Sequence, residues 1–124
     1  MIRITVIDRE HRQDIRLPNE PFAVTGRIVP SYVNERWSYE VRPFSPEQVG
    51  EMCFPDENYD YNEMKNSIFL GAYEDEKCVG LAVLQPGFFR YLYLYDLKVC
   101  RAYRGQKIGV LLIDKAREIA LQQG

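Results

Sequence analysis

The feature that most limits what this chain can fold into lies near its C-terminal end. Tyr91-Leu-Tyr-Leu-Tyr-Asp-Leu-Lys-Val99 is an almost unbroken run of apolar and aromatic residues of strand length. A short basic turn follows, and then Ile108 to Gln123, where Ile108, Leu112, Ile113, Ala116, Ile119 and Ala120 recur at helical spacing with charge on the remaining surface. Gly124 stands where a C-cap glycine belongs. A strand joined so tightly to an amphipathic helix calls for a sheet with that helix lying on one face. Because the strand is apolar on both faces, the expectation is a central position in the sheet.

Upstream, Ile68 to Tyr73 and Lys77 to Leu84 flank the acidic turn Glu74-Asp75-Glu76, the signature of a hairpin. The turn Gln85-Pro-Gly-Phe-Phe-Arg90 then leads into the 91–99 run, which extends the hairpin to a three-strand meander. Ile2, Ile4 and Val6 alternate with Arg3 and Thr5, a short N-terminal strand. From Arg16 to Pro30 three prolines forbid a regular helix and imply an extended, turn-rich path. Arg36 to Phe44 alternates Trp37, Tyr39 and Val41 with polar residues and reads as a strand, with Trp37 packed in the sheet. Ser45-Pro-Glu-Gln48 has the spacing of a helix start, predicting a short helix that ends near Cys53 or Pro55. The acidic stretch Pro55 to Asn66 has room for one helical turn. The fold class is therefore α+β: a mostly antiparallel sheet of N-terminal strands and a meander, with helices packed on it.

At 124 residues this is one domain, 1–124, with a single core. A net charge of −2 argues against nucleic acid as a partner. Cys53, Cys78 and Cys100 form no CxxC pair and His11 is the only histidine, so the expectation is no metal, no disulfide and a reduced, cytoplasmic setting. The N-terminus does not read as a signal peptide and no run reaches membrane-spanning length, so no membrane partner is expected.

The turn itself carries more glycine and charge than a tight connection needs. Arg104-Gly-Gln-Lys-Ile-Gly109 opens a helix, where free N–H groups and the positive end of the peptide dipoles favour an anion. Glycine lets a ligand approach the backbone. Arg104, Gly105, Gln106, Lys107, Ile108 and Gly109 thus read as a pyrophosphate cradle. The plainer alternative is an ordinary turn with a basic, solvated rim. Neither GxxxxGK[ST] nor GxGxxG is present, which moves nucleotide hydrolysis and dinucleotide binding well behind.

Leu97-Lys-Val-Cys-Arg-Ala-Tyr-Arg-Gly-Gln-Lys-Ile-Gly-Val-Leu-Leu-Ile-Asp114 resembles motif A of the GNAT superfamily of N-acetyltransferases, in which an [RQ]-x-x-G-x-[GA] loop holds the pyrophosphate of acetyl-CoA. Lys107 stands in place of that loop's middle glycine. Pro18 to Tyr39 and Tyr91 to Gln106 are similar to streptothricin acetyltransferases. The resemblance implies direct transfer of acetyl from acetyl-CoA to the amine of a cationic small molecule, streptothricin in the first instance. It also implies that backbone groups of Leu97, Lys98 and Val99 bind the pantetheine arm and the acetyl carbonyl. Many relatives use a carboxylate on this strand as base, and Asp96 is the candidate here; the alternative is that Asp96 closes the strand against a backbone amide. Tyr91, Tyr93 and Tyr95 read as packing, and Glu51, Asp56, Glu57, Asp60 and Glu63 make a middle segment that would favour a cation. Cys100 has no histidine partner for a thiol nucleophile. Relatives of this kind continue beyond the motif A helix with further strands, so the expectation is a partial fold lacking those strands, with the edge of the 91–99 strand exposed and a homo-oligomer formed through it. The other functional class left open is a non-catalytic CoA-binding or self-associating scaffold.

Overall fold

A computed structural model describes residues 1–87 and 90–123. The part of the 85–90 turn at Phe88 and Phe89 and the Gly124 cap lie outside the described residues. The strands in chain order are β1 (Ile2–Val6), β2 (Phe22–Val24), β3 (Gly26–Val33), β4 (Arg36–Pro43), β5 (Gly50–Met52), β6 (Ile68–Glu74), β7 (Lys77–Pro86) and β8 (Leu92–Val99), followed by the helix α1 (Ile108–Gln123). The chain forms two compact units, residues 1–19 with 55–124, and residues 20–54.

The larger unit is an antiparallel sheet in the order β1-β6-β7-β8 with α1 on one face, the α+β arrangement that the pattern predicts. Asp75, at φ 54, takes the left-handed conformation that closes the two-residue turn between β6 and β7, a conformation aspartate tolerates. Between α1 and the sheet, Ile108 and Leu112 of the helix pack on Leu70, Ala72, Val79, Ala82 and Leu84. Gly80 permits this contact: a Cβ there would sit 3.2–3.3 Å from Ala72, Ile108 and Leu112. The opposite face buries Ile7, Ile15, Tyr59, Phe69, Leu81 and Val83 beneath the 3-10 turn Arg12–Arg16 and the segment around Tyr59 to Met64. That segment holds the expected helical turn, with the Met64 N–H donating to the Asp60 carbonyl at 3.1 Å.

The run at 92–99 is not central. β7 is flanked on both sides, and β8 is an edge strand. Its apolar look on both faces comes from a β-bulge. Val83 pairs with Asp96 and Leu84 with Leu94, so Tyr95 is an extra residue. The bulge reverses the alternation: Leu92, Leu94, Leu97 and Val99 share the α1 face, while Tyr93, Tyr95, Asp96 and Lys98 share the other. A strand that looks apolar on both faces is in fact one-sided.

In the smaller unit, β3 pairs with β4 from Gly26↔Pro43 to Val33↔Arg36, and β2 pairs with β5. The extended path after Arg16 is as expected, and β4 is a strand, but Trp37 is 75% exposed and meets Tyr32 across the hairpin at 4.9 Å instead of packing in a sheet core. The helix expected after Ser45 is absent. Its opening contacts do form, with the Gln48 N–H donating to the Ser45 carbonyl at 2.9 Å and the Ser45 N–H donating to Gln48 Oε1 at 3.1 Å. The turn does not propagate, since nucleation is unfavourable for so short a helix, and Gly50–Met52 pairs with Phe22–Val24 instead.

Candidate active site

At the end of β8 the Cys100 N–H donates to the Val79 carbonyl at 2.8 Å, tying the turn to β7. A 3-10 turn, Arg101–Tyr103, follows, closed by the Tyr103 N–H on the Cys100 carbonyl at 2.9 Å. Arg104 then folds back, and its Nε donates to the Val99 carbonyl at 3.2 Å. Gly105 at φ 78 and Lys107 at φ 65 both take the left-handed region, which swings the chain into α1. The Leu111 N–H donates to the Lys107 carbonyl at 3.1 Å, closing the first turn of the helix. Ile108, Gly109 and Val110 therefore supply N–H groups that have no place in the intrahelical ladder. The Ile108 side chain is buried under the helix and anchors it, while Gln106 and Lys107 are exposed. A Cβ on Gly105 or Gly109 would meet nothing within 4 Å, so the approach to these amides is open.

The geometry gives a physical reason for glycine at the middle position of such a loop. At φ 65 a residue with a Cβ is strained by about 1–2 kcal/mol, and Lys107 carries that strain. In exchange it brings an ammonium group to a turn suited to an anion.

Asp96 lies on the face away from α1. Tyr59 Oη donates to Asp96 Oδ2 at 2.7 Å, and Lys98 Nζ approaches the same oxygen at 3.6 Å. Among the described residues no hydrogen bond is made to Oδ1. Asp96 is 23% exposed at its side chain, so the carboxylate remains within reach of solvent. Its partner is thus a side-chain hydroxyl rather than the backbone amide considered from the sequence. Lys98 Nζ also sits 5.7 Å from the centre of the Tyr59 ring, and the lysine side chain is 8% exposed. Burial, reinforced by the hydrogen bond and charge of Asp96, pushes the Tyr59 phenol far above its ordinary range and keeps it a proton donor. The side chains of Leu97 and Val99 face the α1 side and that of Lys98 the other. What these three residues offer together is the backbone along the outer edge of β8.

Tyr59 is the residue that sequence reasoning passed over. It sits in a polar, acidic stretch with no periodicity, and its only signal is an aromatic pair, Tyr59 and Tyr61, among charges. Of that stretch, Asp60 accepts the Asn62 N–H at 2.9 Å and braces its own loop, while Asp56 accepts the Asn19 N–H at 2.7 Å and ties two distant segments together. Tyr93 and Tyr95 are exposed, with Tyr95 edge-on to Tyr59 at 6.3 Å. Among the described residues no disulfide joins Cys53, Cys78 and Cys100, and burial pushes Cys78 up to about 11. Asp8, Glu10 and His11 bring one ligand atom each within 4.8 Å of one another, all exposed, and Asp8 Oδ1 is already taken by His11 at 2.8 Å.

The family model described as acetyltransferase (GNAT) family matches residues 30–124. Streptothricin acetyltransferase A of Bacillus subtilis (strain 168) is 30% identical over 108 residues, which are 87% of this chain and 62% of that protein. The chain therefore spans less than two thirds of the length of this curated relative. Solved structures that share the fold include two acetyltransferases. One, assigned as a streptothricin acetyltransferase of Bacillus anthracis str. Ames in complex with acetyl coenzyme A, superposes with a TM-score of 0.78 at 24% identity over 98% of this chain and 69% of its own. The other, nourseothricin acetyltransferase, gives 0.75 at 21% identity over 99% and 68%.

Proposed function

We propose, on the premise that this chain belongs to the acetyltransferase (GNAT) family, that it is part of one acetyl-CoA-dependent N-acetyltransferase domain. Its acceptor in this reading is an amine of a cationic small molecule, streptothricin first among them. The relative of Bacillus subtilis is named for that substrate, and the fold relative of Bacillus anthracis was solved with acetyl coenzyme A. The observation that carries the reading is the turn from Arg104 to Gly109: unobstructed glycines at 105 and 109 and left-handed Gly105 and Lys107 lead into a sixteen-residue helix whose first amides lie outside its own hydrogen-bond ladder, which favours an anion there. The backbone amides there, with Lys107, would hold the pyrophosphate. The edge of β8 at Leu97, Lys98 and Val99 would take the pantetheine arm and the acetyl carbonyl. Asp96 would accept the proton of the attacking amine.

No metal enters this chemistry. Among the described residues no helix is long and apolar enough to cross a membrane, and a cytoplasmic setting agrees with three cysteines that are joined in no disulfide. The test is calorimetric titration with acetyl-CoA followed by thiol release in the presence of streptothricin. Saturable binding and amine-dependent release are expected; a folded sample that binds no acetyl-CoA overturns the cradle.

One observation favours a second reading. β8 is an edge strand with Tyr93, Leu94, Tyr95 and Leu97 exposed, which suits pairing with a second copy. Binding of acetyl-CoA without turnover selects a non-catalytic, self-associating CoA-binding scaffold. Light scattering that reports a monomer at high concentration removes the self-association.

A further inference from the structure

The geometry points to Tyr59 as the positioning residue of the reaction, acting through Asp96; this inference rests on the functional reading above. A carboxylate that removes a proton must present a free oxygen in a fixed direction, because a poorly oriented base wastes the proximity that binding provides. On an exposed edge strand next to a bulge, an aspartate side chain has little of its own to hold it.

Tyr59 supplies the hold. Its hydroxyl donates to Oδ2 at 2.7 Å, and Lys98 Nζ stands on the same oxygen at 3.6 Å, leaving Oδ1 for a substrate. The tyrosine is itself held by its neighbours. Phe69 lies 6.1 Å away and Tyr95 6.3 Å, ring to ring, and Arg16 Nε donates to the Tyr59 carbonyl at 3.2 Å. The residue is 5% exposed. The bulge at Tyr95 completes the arrangement. It rotates Asp96 onto the same face as Tyr93, Tyr95 and Lys98, whereas an unbroken alternation that keeps Leu92 and Leu94 on the α1 face would put Asp96 there too and away from Tyr59.

The experiment measures streptothricin-dependent thiol release by the parent chain, Tyr59→Phe, Asp96→Asn and the double variant. Phenylalanine keeps the ring and its packing and removes only the hydroxyl. Tyr59→Phe is expected to lower kcat about tenfold, as for loss of a hydrogen bond to a charged group, with KM for acetyl-CoA unchanged. Asp96→Asn is expected to lower it about a hundredfold, the lower end for a general base. The double variant should be no slower than Asp96→Asn alone, because the tyrosine acts only through that carboxylate. A double variant that falls by the product of the single effects, or a Tyr59→Phe protein as fast as the parent, overturns the assignment. If Tyr59→Phe does not fold, 3-fluorotyrosine at position 59 replaces it: its fluorine resonance should move in Asp96→Asn, and an unmoved resonance overturns the assignment. A folded parent that binds acetyl-CoA and releases no thiol overturns the catalytic reading and the role of Tyr59 together, whereas turnover that is blind to Tyr59→Phe overturns only the latter.

Discussion

β7 and β8 are neighbours of similar apolar content with different fates. Val79 to Leu84 of β7 are at most 1% exposed where they are buried apolar residues, whereas Leu94 and Leu97 of β8 are 43% and 37% exposed. The pair Leu84 and Leu94 makes the contrast within one register position: directly opposite each other on one face, one is closed in and the other open. α1 packs on both strands, but β7 has strands on both sides whereas β8, among the described residues, has a strand on one side only. Stability is concentrated in the centre of the sheet. The groups that could do chemistry, Asp96, the bulge and the amides of the following turn, gather at its edge, where backbone is not consumed by a second neighbour.

The most direct attempt to break this comparison is Leu84→Ala, which should cost about 2–5 kcal/mol, as for a large-to-small change in a closed core, read from denaturant unfolding. Acetyl-CoA binding measured on the folded fraction should be unaffected. The next effect has the opposite sign. Lys107→Gly relieves the left-handed backbone and should stabilise by up to about 1 kcal/mol. If acetyl-CoA affinity nonetheless falls in that variant, the lysine charge matters to the anion more than the backbone strain does.

Leu94→Ala, opposite Leu84, should cost less than about 1 kcal/mol because a half-exposed side chain removes little area from water when present. A loss as large as that of Leu84→Ala would show that β8 is not a free edge in solution. Smallest of all is the exposed pair Asp8 and His11, distant in role from either strand. The Asp8 carboxylate raises His11 above its ordinary value of 6.5, and the histidine lowers Asp8 below 3.8. The histidine's contribution is fully present below 6.5 and lost as pH rises through its raised value; the aspartate's is present above 3.8 and lost as pH falls through its lowered one. His11→Ala should therefore narrow the gap to the parent's unfolding midpoint only outside that window, and a gap that does not vary with pH breaks the pairing.

Much of this was legible in the chain itself. The helix boundaries Ile108 and Gln123 follow from periodicity, and the hairpin at Glu74-Asp75-Glu76 from two β-rich runs and an acidic turn. The bulge leaves a trace as well: Leu92, Leu94, Leu97 and Val99 skip one step of the alternation, which marks a phase change and not the strand buried on both sides that the run suggests. The short helix after Ser45 failed for a different reason. Its local contacts are correct, but a pairing partner more than twenty residues earlier, Phe22–Val24, decided the outcome.

What the sequence determined by itself is what depends on neighbours within a few residues: strand and helix periods, the glycine-opened turn with its orphan amides, and the resemblance carried by Arg104 to Gly109. Tertiary structure alone decided which strand became the edge, and that Tyr59 reaches Asp96 across thirty-seven positions of chain. Hydrogen bonds between distant side chains leave no period in the sequence, because they are selected by packing after the elements have formed.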